Sequence, residues 1–363
     1  MTRASGRSIL MVVRGLDPVG TGRQVELVAM GFREAGWRVH VAVTTSGGAV
    51  AERLIAAGFP VHRLGVRPRV DAAAAAALAL IVRRVGPNVV HAWGRSQARV
   101  VGGLRGWLRG ARAVCHLAVG PRDRFTAWAL ARADRVIVTS PGVAGRCEAL
   151  GVRSGRIDII PPGIAAATDA IMSREEVAHR LGLRVDSQWT LCVAPLDAEA
   201  RLERLLWAID QLEVVHRGVE HVLVGAGPLR LRLMRRARVQ QLAERLHVMA
   251  HCDVLPDLLA QVQLVWQSGD VAYGGAVLDA MPCGIPAVAV ASDAARQFIE
   301  DERTGRIVPA DPGSEFPRRA FNILEDESLA GRYGAAARIR AAENFPLAPA
   351  IERHIAAVER LLP

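Results

Sequence analysis

The chain has 363 residues, 51% of them hydrophobic and 23% charged, enough apolar material for two buried cores and too little charge for extended disorder. Its net charge of +10 comes entirely from arginine, because no lysine occurs. That basic balance fits a phosphorylated substrate or an anionic surface, and it fits equally a coding bias toward arginine.

In chain order, short apolar runs alternate with helical segments. Ile9–Val13 reads as a strand, followed by a Gly-rich turn and a helix over Gln24–Ala35. Val39–Val43, Pro60–Leu64, Val89–Ala92, Ala113–Leu117, Val136–Thr139 and Ile157–Ile160 read as further strands. Helices fall over Ala49–Ala57, Ala72–Val85, Ala98–Leu108, Phe125–Ala131 and Val143–Leu150. Pro161-Pro162-Gly163 interrupts the series, and a helix follows over Arg174–Leu183. A second series starts at Trp189–Val193 and runs through Arg306–Val308, with a helical tail from Pro317. Continuous apolar strands between helices predict parallel sheets covered on both faces, hence doubly wound α/β domains. The expected organisation is two Rossmann-like domains facing a cleft. Residues 1–165 form the first and 166–345 the second, with a helical segment over 346–363 after it. Ligands of such sheets bind beyond the carboxyl ends of the strands.

The bulk features exclude several classes. The run Ile9–Val13 is too short for a secretory core or a membrane span. Cys115, Cys147, Cys192, Cys252 and Cys283 are scattered without metal-ligand spacing, as expected of reduced thiols in a cytoplasmic protein. Aromatic residues total 4%, leaving no stacking platform for nucleic acid. Two arginine-rich segments, GLRGWLRGAR at 103–112 and LRLRLMRRAR at 229–238, read either as solvated faces or as peripheral contacts with an anionic membrane.

Three glycine motifs follow strands. Gly20-Thr21-Gly22 opens the first helix, where backbone N–H groups and the helix dipole favour a phosphate. Its spacing from Gly15 resembles a nucleotide-triphosphate loop, but the lysine of that motif is absent. Gly225-Ala226-Gly227 lacks the third glycine of a dinucleotide fingerprint, since position 230 is arginine. In SGDVAYGGAVLDAMPCGIPAVA (268–289), Tyr273, Gly274 and Gly275 precede a helix that begins near Ala276 and carries Asp279 in its first turn or so. That turn suits a diphosphate; the competing reading is a plain helix with a Gly–Pro stop.

These phrases, with PNVVHAWGR (87–95), RADRVIVTS (132–140), GVRSGRIDIIPPGI (151–164), LVGAGPLRLRL (223–233) and DERTGRIVPADP (301–312), resemble the retaining GT-B glycosyltransferases of the family 4 type over nearly the whole chain. The resemblance implies a nucleotide-diphosphate-sugar donor, a glycan, lipid or small-molecule acceptor, retention of configuration, and no obligatory metal or other cofactor. It implies that the last helix, within 346–363, crosses back to the first domain, and it assigns the donor ribose to Asp279 and a sugar contact to His116. The family's first glutamate falls on Val271, with Asp270 beside it as a substitute. Its diphosphate-clamping arginine and lysine fall on Pro195 and Ala200, with Arg201 next in line and Arg204 a poorer candidate. In the first loop Gly22, where the family often has an acid, precedes Arg23. An active transferase is therefore expected, and a degenerate nucleotide-sugar binding or scaffolding module is the alternative.

Overall fold

The structure is a computed structural model that describes residues 6–44, 47–64, 71–165 and 171–363. The linker expected after residue 165 falls on 166–170, outside the described residues. The chain divides into two compact units, Met1–Gly163 with Pro346–Pro363, and Ile164–Phe345.

The first unit runs β1 (Ser8–Val13), α1 (Gly20–Glu34), β2 (Arg38–Val43), α2 (Ala49–Ala56), β3 (Val61–Arg63), α3 (Asp71–Val85), β4 (Val89–Trp93), α4 (Arg95–Gly103), β5 (Arg112–Leu117), α5 (Arg124–Ala131), β6 (Arg135–Val138), α6 (Pro141–Ala149) and β7 (Ile157–Ile159). The second runs α7 (Arg174–Leu181), β8 (Gln188–Val193), α8 (Leu202–Val215), β9 (Val219–Val224), α9 (Arg230–Val239), β10 (Leu246–Met249), α10 (Leu255–Leu259), β11 (Leu264–Gln267), α11 (Val277–Cys283), β12 (Ala287–Val290), α12 (Asp293–Phe298), β13 (Gly305–Val308), α13 (Glu315–Glu325) and α14 (Glu327–Asn344). The last helix, α15 (Leu347–Glu359), belongs to the first unit.

Among the described residues the first sheet has the order β3-β2-β1-β4-β5-β6-β7 and the second β10-β9-β8-β11-β12-β13, with every pairing parallel. The strand order reverses beside β1 in the first unit and beside β8 in the second, which opens a crevice past the carboxyl ends of β1/β4 and of β8/β11. β1 shows why its sequence is continuously apolar. Ile9, Met11 and Val13 enter the core on one face and Leu10 and Val12 the core on the other, as side-chain alternation with both faces covered requires. In the second unit, Leu191, Leu264 and Val288 are each 0% exposed.

Local chemistry sets several boundaries. The helix expected over Ala98–Leu108 ends at Gly103 and gives way to a 3-10 turn at Arg105–Trp107, because Gly102, Gly103 and Gly106 weaken the helix. The helical tail is three helices. Asp326 caps α14 by accepting from the Leu329 N–H, and Pro346 precedes α15. Gly31 of α1 lets α15 approach: a Cβ there would lie 2.2 Å from Ile351 Cγ2.

Candidate active site

In the second unit the predicted donor residues gather at the carboxyl edge beside the strand-order reversal. The loop after β8 (194–201), the loop after β9 and the segment after β11 are laced together by backbone contacts. The Leu196 N–H donates to Ala226 O (3.0 Å) and the Leu229 N–H to Leu196 O (2.9 Å). The Ser268 hydroxyl donates to Ala200 O at 2.6 Å. The Asp197 carboxylate holds the bend by accepting from the Glu199 N–H at 3.0 Å. Glycine is required where these loops touch. A Cβ on Gly225 would lie 1.9 Å from Ala194 O, and one on Gly269 2.3 Å from Glu199 O. The sequence marked Gly225 only as half of a weak fingerprint; its role is close approach of two chain segments, a signal that spacing alone does not carry.

Ala200 and Arg201 sit in opposite environments. Ala200 is 1% exposed in the core, so the family's lysine position points inward. Arg201 is exposed at the N-cap of α8 with φ 51° and ψ 38°, the left-handed conformation that side-chain-bearing residues adopt at a cost. Its guanidinium makes no ion pair among the described residues. The N-terminal end of a 14-residue helix adds its own positive potential there. Pro195 is exposed and Arg204 half-buried.

After β11, Asp270 and Val271 are both partly buried. Tyr273, Gly274 and Gly275 follow with φ of 56°, 68° and 66°, three successive positive values that end at Ala276, the N-cap of α11. The N–H groups of Gly274 and Gly275 already donate to Val271 O (3.0 Å) and Ala272 O (3.1 Å). The two glycines therefore shape the turn rather than supply its anion donors. Asp279 is partly buried in the first turn of α11. The C-terminal end of α11 is held by α14: a Cβ on Gly334 would lie 2.0 Å from Gly284 O, and Arg338 Nη2 donates to Cys283 O at 2.8 Å.

In the first unit Gly20, Thr21 and Gly22 form the first turn of α1, past the end of β1. No acidic residue occupies that turn and no side chain caps it. The loop doubles back tightly: a Cβ on Gly22 would lie 2.2 Å from Asp17 O. Arg23 is engaged elsewhere, its Nη1 donating to Glu26 Oε2 at 2.8 Å. Arg53 donates to the same carboxylate through Nε and Nη2, both at 2.7 Å.

His116, on β5, is 2% exposed. Its ring stacks on Trp93 of β4 (centroids 4.1 Å, 20°) and on His354 of α15 (5.2 Å, 14°). Trp93 and His354 are neighbours of His116 that the sequence did not reveal. Only the return of α15 onto the first unit brings His354 there. Burial pushes the His116 pKa well below the ordinary histidine value, with the neighbouring His354 and His91 acting in the same direction. Burial likewise lowers that of His354, to about 4. Among the described residues no group of three histidine, cysteine or carboxylate side chains is placed to hold a metal ion.

Comparison with known proteins accounts for both units. The model described as Glycosyltransferase Family 4 matches residues 18–167, and that described as Glycosyl transferases group 1 matches residues 187–326. The chain belongs to the GT-B glycosyltransferases of the family 4 type. The D-inositol 3-phosphate glycosyltransferase of Mycobacteroides abscessus is 29% identical over 192 residues, 49% of this chain. The matched part spans only 41% of that protein's length. Among solved structures, Anabaena HepE in complex with UDP and glucose superposes with a TM-score of 0.78 at 19% identity, over 98% of this chain and 100% of that one. The sucrose-phosphate synthase of Thermosynechococcus elongatus gives 0.77, also at 19%, over 98% and 99%. At that identity the likeness shows a shared GT-B fold.

Proposed function

We propose that this glycosyltransferase moves a sugar from a nucleoside-diphosphate-sugar to an acceptor hydroxyl with retention of configuration, without an obligatory metal. The observation that carries the reading is Arg201. An exposed guanidinium stands at a helix N-terminus on the donor-side edge, held in a backbone conformation that costs energy. Strain of that kind persists where surrounding structure or function imposes it. Arg201 replaces the two family cations lost at Pro195 and Ala200 and faces the diphosphate. Positive charge there stabilises the leaving group as the glycosidic bond breaks. Asp279 accepts from the ribose hydroxyls, Ala276 opens the helix that faces the phosphates, and Asp270 stands beside Val271 as the carboxylate nearest the transferred sugar. His116 contacts that sugar, and the turn Gly20–Gly22 contributes backbone donors. UDP, glucose and UDP-glucose occupy structures of Anabaena HepE, which supports a uridine nucleotide as the first donor to try.

The test is a thermal-shift screen against UDP, GDP, ADP and their sugar conjugates, followed by hydrolysis and transfer assays. A ligand that binds only the folded chain raises Tm by mass action. Stabilisation by one nucleotide series together with turnover establishes the reading. Stabilisation without turnover identifies a nucleotide-sugar binding module, and no response at millimolar concentration removes the donor site.

A second surface bears on the acceptor. No described helix is long and apolar enough to cross a membrane. Yet Trp107, Phe125 and Trp128 are 71%, 53% and 45% exposed on the α4–α5 side of the first unit. Phe125 and Trp128 stack at 5.4 Å, and Arg132 lies over Trp128 at 5.0 Å. Exposed indoles beside guanidinium groups suit the interface of an anionic membrane, and this face is the proposed peripheral contact.

A further inference from the structure

Arg230 is the first residue of α9, past the carboxyl end of β9 in the second unit. Leu233 and Ala237, one and two turns further on, are buried, so Arg230 lies on the stripe that α9 turns inward. The residue is partly buried and its Nε is shut off from solvent. Its side chain makes no hydrogen bond, ion pair or ring contact among the described residues. The other arginines of this helix show the contrast. Arg232 Nη2 lies 3.5 Å from Glu203 Oε1, and Arg235 and Arg238 are exposed to water. A guanidinium donor withdrawn from water without a partner costs free energy, which a bound anion restores.

Contacts within the unit put Arg230 beside Arg201. The Leu229 N–H donates to Leu196 O at 2.9 Å, and a Cβ on Gly227 would lie 2.3 Å from the same oxygen. The loop before α9 therefore rests on the loop that leads to Arg201. The contact of Arg232 with Glu203 joins the first turns of α9 and α8, just beyond Arg230 and Arg201 in each chain segment. Two guanidiniums without ion-pair partners among the described residues thus stand at one corner of the second unit. We propose that Arg230 and Arg201 together hold the diphosphate of the donor, Arg201 from the exposed side and Arg230 from the buried side. The inference rests on the reading of Arg201 as a phosphate contact. A diphosphate offers a negative charge to each guanidinium, whereas a monophosphate engages the pair less completely.

Calorimetric titration of the full-length chain with UMP and UDP, and with the matching guanosine and adenosine nucleotides, tests the clamp. Arg230→Gln is expected to weaken the diphosphate that wild type binds about tenfold, and the corresponding monophosphate less. Arg238→Gln removes the same charge from the far end of α9 and should change that affinity by no more than about twofold, because solvent screens a distant exposed charge. Arg230 has no partner to lose in the free protein, so Arg230→Gln should leave Tm unchanged or raise it, where loss of a structural arginine would lower it. In a double-mutant cycle, Arg230→Gln and Arg201→Gly should be non-additive, as expected of two cations on one anion. Unchanged diphosphate affinity in Arg230→Gln, an equal loss in Arg238→Gln, or a folding defect in Arg230→Gln overturns the proposal. If Arg201→Gly weakens the diphosphate and Arg230→Gln does not, the donor reading stands and only the part of Arg230 is lost. A wild type that binds none of the three diphosphates removes both.

Discussion

A methyl group on Gly275 would lie 2.0 Å from the carbonyl oxygen of Val193, the last residue of β8. This contact ties the turn before α11 directly to the end of the strand beside which the strand order reverses. At φ 66° the backbone of Gly275 is also one that other residues adopt only under strain. Gly275→Ala therefore carries two penalties, steric and conformational. It should lose about 2–4 kcal/mol of stability in the second unit, and nucleotide-induced stabilisation with it. Chemical denaturation followed by the thermal-shift assay reads both. Unaltered stability would mean that the turn does not need this approach.

Arg201 should show the opposite relation between stability and binding. Arg201→Gly relieves a left-handed φ and removes an exposed side chain, so it is expected to raise stability by about 0.5–1 kcal/mol. The same substitution removes the cation proposed for the diphosphate and should weaken nucleoside-diphosphate affinity about 10- to 100-fold. Arg201→Lys should recover part of the affinity and none of the stability. Calorimetric titration with UDP at two salt concentrations checks this. Unchanged affinity in Arg201→Gly would assign the phosphates to other groups.

The architecture is legible in the sequence because buried parallel strands leave continuous apolar runs such as Ile9–Val13 and Ala113–Leu117, bounded by turn residues. The helices α10 and α12 are not. Each is six residues or fewer, too short to show a helical period. The glycine motifs mark loops at the carboxyl ends of strands but not what the glycines do there, since Gly274 and Gly275 spend their N–H groups on their own turn. Ala200 reads in the sequence as a missing cation, whereas in the structure its Cβ is directed into the core while the next residue faces solvent. His354 lies 238 positions from its partner His116, and no local pattern announces a contact that tertiary folding alone creates.

The exposed aromatic face predicts a membrane readout separable from chemistry. Wild-type protein should co-sediment with vesicles containing an anionic phospholipid and be released by salt, because the arginine contribution is screened while the indole contribution is not. Trp107→Ala with Trp128→Ala should weaken vesicle binding at least several-fold and leave hydrolysis of a soluble donor unchanged. Both residues are already more than two-fifths exposed, so their truncation opens no cavity. Equal binding to neutral and anionic vesicles would refute the electrostatic part, and no binding at all the membrane contact itself.

The buried histidines of the first unit predict its response to acid. Burial first, and neighbouring histidines second, hold His91 and His116 well below the usual value, and burial lowers His354 to about 4. In the unfolded chain these rings titrate near 6.5. Between those limits the unfolded state binds more protons than the folded one, so stability falls as pH drops below about 6.5. The slope approaches 1.4 kcal/mol per pH unit for each such ring and levels off below its folded pKa. Glu26 adds a later loss. Burial raises its pKa, but the hydrogen bonds from Arg53 and Arg23 outweigh this and leave it depressed. Its contribution is present at neutral pH and disappears only as pH falls below the ordinary glutamate range toward the folded value. Urea denaturation at pH 7.5, 6.0 and 5.0 should therefore show a decline that belongs to histidine and not to Glu26. His354→Phe removes one titrating ring, so its stability should decline less steeply than that of wild type across this interval. Parallel curves for the two proteins would mean that His354 takes up a proton in the folded state as readily as in the unfolded one, and that the neutral stack with His116 does not persist in solution.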